Sequence, residues 1–142
     1  MEDKMEQIQK RSLRVVLNDS ESQYEALLLD SGKSTLVLCR LKSIATMMYK
    51  SFNNLNPKYV NDMYKAKDAH YNLRNVCTVE MYDFVTKTYG YKSLHYAGAK
   101  LWNSLPTHFK VSQTLEDFKK CLDEWKCVNV NCESCHSFLY HR

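Results

Sequence analysis

The stretch STLVLCRLKSIATMMYKSFNN, residues 34–54, decides the fold class. Leu38, Leu41, Ala45, Met48 and Phe52 recur at steps of three and four residues, the period at which a helix brings side chains back to one face. Arg40, Lys42 and Lys50 fall on its exposed side. Ser34 or Thr35 supplies the start, because a hydroxyl oxygen just before the first turn accepts from amides that a helix leaves unpaired there.

Moving outward toward the N-terminus, Ser31-Gly32 closes a preceding helix that holds Tyr24, Leu27 and Leu28, and Asp19 or Ser20 is its expected cap. Before it, residues 2–18 read as a helix in which Met5, Ile8, Ser12, Val15 and Val16 form a stripe expected to face inward, with Lys10, Arg11 and Arg14 on the other side. Asn18-Asp19-Ser20 stops that helix. Toward the C-terminus, Asn56-Pro57 opens a short helix to about Tyr64, since proline at the first helical position loses no hydrogen bond. The helical period then fails from Lys65 to about Lys92, where Tyr71 to Cys77 and Val85 to Tyr91 suggest extended segments. Ser93 caps a further helix through Trp102, closed by Pro106. Thr114 with Asp117 three residues on is an imperfect capping box for a last helix, whose apolar stripe is Leu115, Phe118, Leu122 and Trp125. The tail KCVNVNCESCHSFLYHR has no period. The expectation is a mainly α fold: a small helical domain of about six helices over residues 1–126, a short extended or β segment in its middle, and an irregular Cys-rich tail over 127–142.

Composition agrees with packed helices. In 142 residues there are ten Tyr, five Phe and two Trp against three Gly and two Pro, too few turn formers for a β-sandwich. That length buries one modest core. No run of about 18 apolar residues is present, and the charged start MEDKMEQIQKR does not resemble an export signal. An intracellular chain with reduced thiols follows, in nucleus or cytoplasm, although there are six cysteines.

The net charge of +4 is unevenly spread. From Lys33 to Lys110 twelve Lys and Arg face four acids (Asp62, Asp68, Glu80, Asp83), a net +8, so the flanks carry −4. Between Phe84 and Leu115 there is no acid, while Lys87, Lys92, Lys100 and Lys110 alternate with Tyr89, Tyr91, Tyr96, Trp102 and Phe109. Cations interleaved with aromatic rings suit a polyanion whose bases stack. Arg40, Lys42, Arg74, Lys87, Lys92 and Lys100 are the candidate phosphate contacts, against the plainer alternative of a solvated helix face.

Catalytic signatures are missing. Two-metal phosphoryl chemistry needs carboxylates a few ångströms apart, commonly adjacent in sequence, and no Asp-Asp pair exists here. There is neither a phosphate-cradling Gly-rich loop nor a G-x-S-x-G nucleophile turn. Cys132-Glu-Ser-Cys135 has the spacing of one zinc-binding turn, and Cys127, His136 or His141 would complete a tetrahedron. A finger supplies a second well-spaced pair, however, so free thiols are the expected state and no metal or other cofactor is assigned. Trp102 and Trp125, at helical spacing beside Leu101, Leu105 and Leu122, read as core.

IQKRSLRVVLND (8–19), LVLCRLKSIATMMYKSFNNLNPKYVNDMY (36–64), YNLRN (71–75), TYGYKSLHYAGAKLWNSLP (88–106) and SQTLEDFKKCLDEW (112–125) together resemble the region downstream of the polymerase core in jockey-like non-LTR (LINE-type) retrotransposon reverse transcriptases. The resemblance runs from about Ile8 to Cys135 and is most specific from Tyr89-Gly90 through Leu101-Trp102-Asn103-Ser104-Leu105-Pro106. It implies a fragment of an RNA-directed DNA polymerase polypeptide without its endonuclease or its fingers, palm and thumb, so no polymerase activity carries over to any residue. The implied role is accessory: weak, sequence-independent binding of RNA or DNA, or docking on the thumb with no nucleic-acid binding of its own. No membrane partner is implied.

Overall fold

The computed structural model describes residues 2–67, 78–83, 90 and 93–125. Seven helices lie among them: α1 (Glu2–Leu17), α2 (Tyr24–Ser31), α3 (Leu36–Phe52), α4 (Lys58–Asn61), α5 (Leu94–Ser104), α6 (Thr107–Lys110) and α7 (Leu115–Glu124). The protein is mainly helical, as expected. The only extended pairing among the described residues is one antiparallel bridge between Ala66 and Val79. The extended segments expected at 71–77 and 85–91, apart from Gly90, and the tail 127–142 lie outside the described residues. The chain forms two compact units, residues 1–41 and 42–142, with the division inside α3.

Three helices end alike. Asn18, Gly32 and Asn54 take the left-handed conformation, with φ of 52°, 61° and 55°. After each, the next amide reaches back to a carbonyl of the last turn: Asp19 to Arg14, Lys33 to Leu28, Leu55 to Lys50. Glycine and asparagine tolerate this conformation, which pairs carbonyls that a helix end would leave open.

In the first unit, α1 and α2 pack together, and the seating is polar. The Tyr24 hydroxyl bonds to the Glu6 carboxylate and lies 2.7 Å from Gln9 Oε1. Glu6 Oε1 accepts from the Val37 amide at the start of α3, and Gln9 Nε2 donates to the Ser34 carbonyl. Arg14 donates to the Ser22 carbonyl. These bonds overturn the expected orientation of α1. Its half-buried side is Glu6, Gln9, Lys10, Leu13, Arg14 and Leu17, while Ile8 is 57 %, Val15 81 % and Val16 78 % exposed. Apolar periodicity alone had placed that stripe inward; four specific hydrogen bonds turn it outward. The start of α2 also differs. Gln23 occupies the cap position without a side-chain bond, and Asp19 Oδ1 instead accepts from the amides of Glu21 and Ser22 at 3.0 Å each. The Ser22 hydroxyl, together with the amides of that tight turn, holds the Asp19 carboxyl below its ordinary pKa.

In the second unit the core is aromatic. Tyr49 of α3 stacks on Phe118 of α7 at 4.5 Å, Phe52 stacks on Trp102 of α5 at 5.0 Å, and Trp102 meets Phe118 at 6.1 Å. Met48, Phe118 and Ala45 are fully buried and Trp102 is nearly so. The expected caps form here: Ser93 accepts from the Tyr96 amide, and Thr114 accepts from the Asp117 amide while its hydroxyl donates to the Asp117 carboxylate. Thr35 accepts from Leu38 at the head of α3, in the first unit. Pro57 stands at the cap position of α4, which stops at Asn61 rather than Tyr64. α5 continues two residues past Trp102, and Pro106 does more than close it, for it opens the single turn α6.

Two contacts fix α5. Gly98 lies so close to its neighbours that a Cβ there would stand 2.8 Å from the Tyr64 hydroxyl and 2.9 Å from Met48 Sδ. Asn103 acts as a strand edge: its Oδ1 accepts from the Val79 amide at 2.8 Å and its Nδ2 donates to the Val79 carbonyl at 3.0 Å. On the other side of this two-residue ladder, Lys67 and Glu80 amides bond to the carbonyls of Thr78 and Lys65. Val79 is 2 % exposed, so its amide and carbonyl have no recourse to water.

Replacing Asn103 by Leu strands both Val79 groups and is expected to destabilise the second unit by about 2–6 kcal/mol, since each buried unpaired group costs about 1–3; urea unfolding followed by circular dichroism measures it. In the first unit, burial and the Glu6 carboxylate raise the Tyr24 phenol well above its ordinary pKa of 10.0. A raised pKa contributes stability that is whole below pH 10 and lost as pH climbs from there toward the folded value. Thermal stability is therefore expected to fall above pH 10, and Tyr24→Phe to make that fall shallower while costing about 1 kcal/mol at neutral pH.

Candidate functional site

Arg74, Lys87 and Lys92, three of the six candidate phosphate contacts, lie outside the described residues, as does the Cys127, Cys132, Cys135, His136 and His141 group. The other three are placed. Arg40 is exposed on α3 in the first unit. Lys42 is half-buried in the second, and its Nζ bonds to Asp123 Oδ1 of α7 at 2.9 Å. Two steps along a helix turn a side chain through about 200°, so Arg40 and Lys42 leave α3 on different faces. Lys100 lies on α5 with its Nζ 6.0 Å from the Tyr96 ring, one turn earlier. Lys110, at the end of α6, stands at the same distance from the Trp102 ring.

The basic and aromatic residues of the second unit thus divide into two layers. Trp102 and Phe109 are core, at 3 % and 5 % exposure. Lys100, Lys110 and Tyr96 are partly exposed, His108 is exposed, and neither α5 nor α6 contains an acid. Lys58, Lys65 and Lys67, around α4 and the Ala66–Val79 bridge, are exposed too, as are the acids Asp62 and Glu80. A lysine ammonium near the face of an aromatic ring gains modestly from the ring's quadrupole.

His95 packs between the rings of Tyr64 at 5.4 Å and Tyr82 at 4.4 Å. Burial raises the Tyr64 phenol above its ordinary pKa, and its hydroxyl donates to the Leu94 carbonyl. A hollow of about 340 Å³ between α6 and α7 is lined by His108, Phe109, Cys121, Glu124 and Trp125. Among the described residues no three His, Cys, Asp or Glu side chains are grouped so as to hold a metal ion. No helix among them is long and apolar enough to cross a membrane.

Sequence reasoning missed two features. The first is the Lys42–Asp123 pair, which spans 81 residues and leaves no local signal. The second is the outward apolar stripe of α1, whose spacing was plain but whose direction depends on Tyr24, Ser34 and Val37 of other elements.

No protein-family model, curated protein or solved structure matches the chain.

Lys42 and Asp123 are 20 % and 75 % exposed, and pairs with that much solvent contribute under about 1 kcal/mol. Asp123→Asn is accordingly expected to lower stability by no more than that, with the difference vanishing at molar salt, as read by thermal unfolding at low and high ionic strength.

Proposed function

We propose that the chain is a non-catalytic accessory module from the C-terminal end of a non-LTR retrotransposon reverse transcriptase, and that its second unit binds RNA or DNA weakly and without regard to sequence. The family origin rests on the resemblance of the residue blocks. The observation that carries the binding is the acid-free pair α5–α6, where Lys100 sits over the Tyr96 ring and Lys110 over the Trp102 ring, with His108 exposed on α6. Lysines bind phosphate as point charges. Arg74, Lys87 and Lys92 belong to the same basic segment of the sequence. Lys42 enters only if it leaves Asp123.

A second reading, docking without nucleic-acid binding, is favoured by one observation: Met5, Ile8, Val15 and Val16 of α1 are exposed together. In the parent polypeptide the missing thumb would be the surface that covers them.

A salt titration of binding to a single-stranded RNA and an unrelated DNA tests the proposal. With four phosphate contacts the log-log slope is expected to be about −3. Replacing Lys87, Lys92 and Lys100 together by Ala should flatten it by about two units. Replacing Lys119, Lys120 and Lys126 should change little, because Glu116, Asp117, Asp123 and Glu124 surround them in sequence. Asp123→Asn should strengthen binding by freeing Lys42. Absence of binding at low salt, or equal effects of the two triple variants, would leave docking as the function.

A further inference from the structure

On α1, Met5, Ile8, Ser12, Val15 and Val16 share an arc of about 100°, and all five are exposed. They run for about 16 Å, three helical turns. Along one border of this arc stand Lys4 and Arg11, both exposed, and neither meets a carboxylate among the described residues. The opposite border is Gln9, already bonded to Tyr24 and Ser34. The outer face of α1 is therefore an aliphatic strip with cations on one edge and Gln9 on the other.

We propose that this face docks a partner helix whose own aliphatic stripe is edged by Asp or Glu. The inference rests on the second reading above and adds the chemistry of the occupant. Spacings of three and four residues are those of a coiled-coil seam, with Met5, Ile8, Ser12 and Val15 at the inward positions, so a helix fits the strip better than an extended peptide. Lys4 and Arg11 take the flanking positions that choose partners by charge. A second copy of α1 supplies no acid there: antiparallel pairing sets Lys4 and Arg11 against each other, and parallel pairing sets them beside Gln9 and Val16. The strip contains no aromatic residue or leucine, the side chains by which helices lie in a lipid interface, and no ring on which a base would stack. Ser12 at its centre keeps the apolar area small, which leaves more of the selectivity to the charged edge.

The test uses the whole chain and two synthetic helical peptides with Leu at both seam positions. One carries Glu at the flanking positions and the other carries Lys; like charges keep each from pairing with itself. Amide shifts of the ¹⁵N-labelled chain are followed during titration. The Glu-edged peptide is expected to perturb residues of α1 and to bind about tenfold tighter than its Lys-edged twin. Val15→Asp, an exposed position, should abolish binding without unfolding the chain. Lys4→Glu with Arg11→Glu should reverse the preference. Equal affinity of the two peptides would overturn the acidic edge while leaving docking in place. Perturbation of α1 by neither peptide at millimolar concentration would overturn docking itself. Self-association of the free chain that Val15→Asp removes, or partition onto phosphatidylserine vesicles, would identify a different occupant and overturn the proposal. Nucleic-acid binding by the second unit is a separate measurement and none of these outcomes bears on it.

Discussion

Phe52, Trp102, Phe118 and Tyr49 form a chain of ring contacts joining three helices, two of which are too short to be stable alone in water. α5 has 11 residues and α7 has 10. Each large ring buries about 150–250 Å², worth roughly 4–6 kcal/mol at 25 cal per Å². That gain outweighs the one local cost, since Trp102 Nε1 is buried without an acceptor and such a group costs about 1–3 kcal/mol. Once the rings hold α5 against α3, the remaining contacts follow from position. Gly98 comes within reach of Met48, Asn103 faces Val79, and α7 presents Asp123 to Lys42.

The residues most specific to the resemblance sit at these contacts. Gly98 is the close approach, Leu101, Trp102 and Leu105 are core, and Asn103 completes the ladder at Val79. In this chain those residues are packing, while Tyr96 and Lys100 of the same block, and His108 and Lys110 just after it, stay at least partly exposed.

Local chemistry was legible in the sequence. Ser93, Thr114 and Thr35 cap as their hydroxyls suggest, and Gly32 ends its helix as expected, because such bonds reach only two to four residues. What was illegible depends on residues far apart. The Asx turn at Asp19 displaces the cap of α2 because Asp19 finds nearer amides. The turn α6 is too short to show a period. Orientation of α1 was misread because apolar spacing marks a face without saying what meets it. Of the candidate site, the acid-free basic stretch was visible as composition, whereas the pairing of Lys42 was not.

Because α1 is seated through Glu6, Gln9 and Arg14, with only Leu13 and Leu17 as half-buried apolar members, lifting it away would bring little of its own hydrocarbon into water. Heat capacity and denaturant sensitivity both scale with newly exposed surface. The side chains of α1 would therefore add little to the calorimetric signal of its release, and its equilibrium would respond to pH and competing hydrogen-bond donors through Glu6, Gln9 and Arg14, unlike the ring-centred unit that follows it.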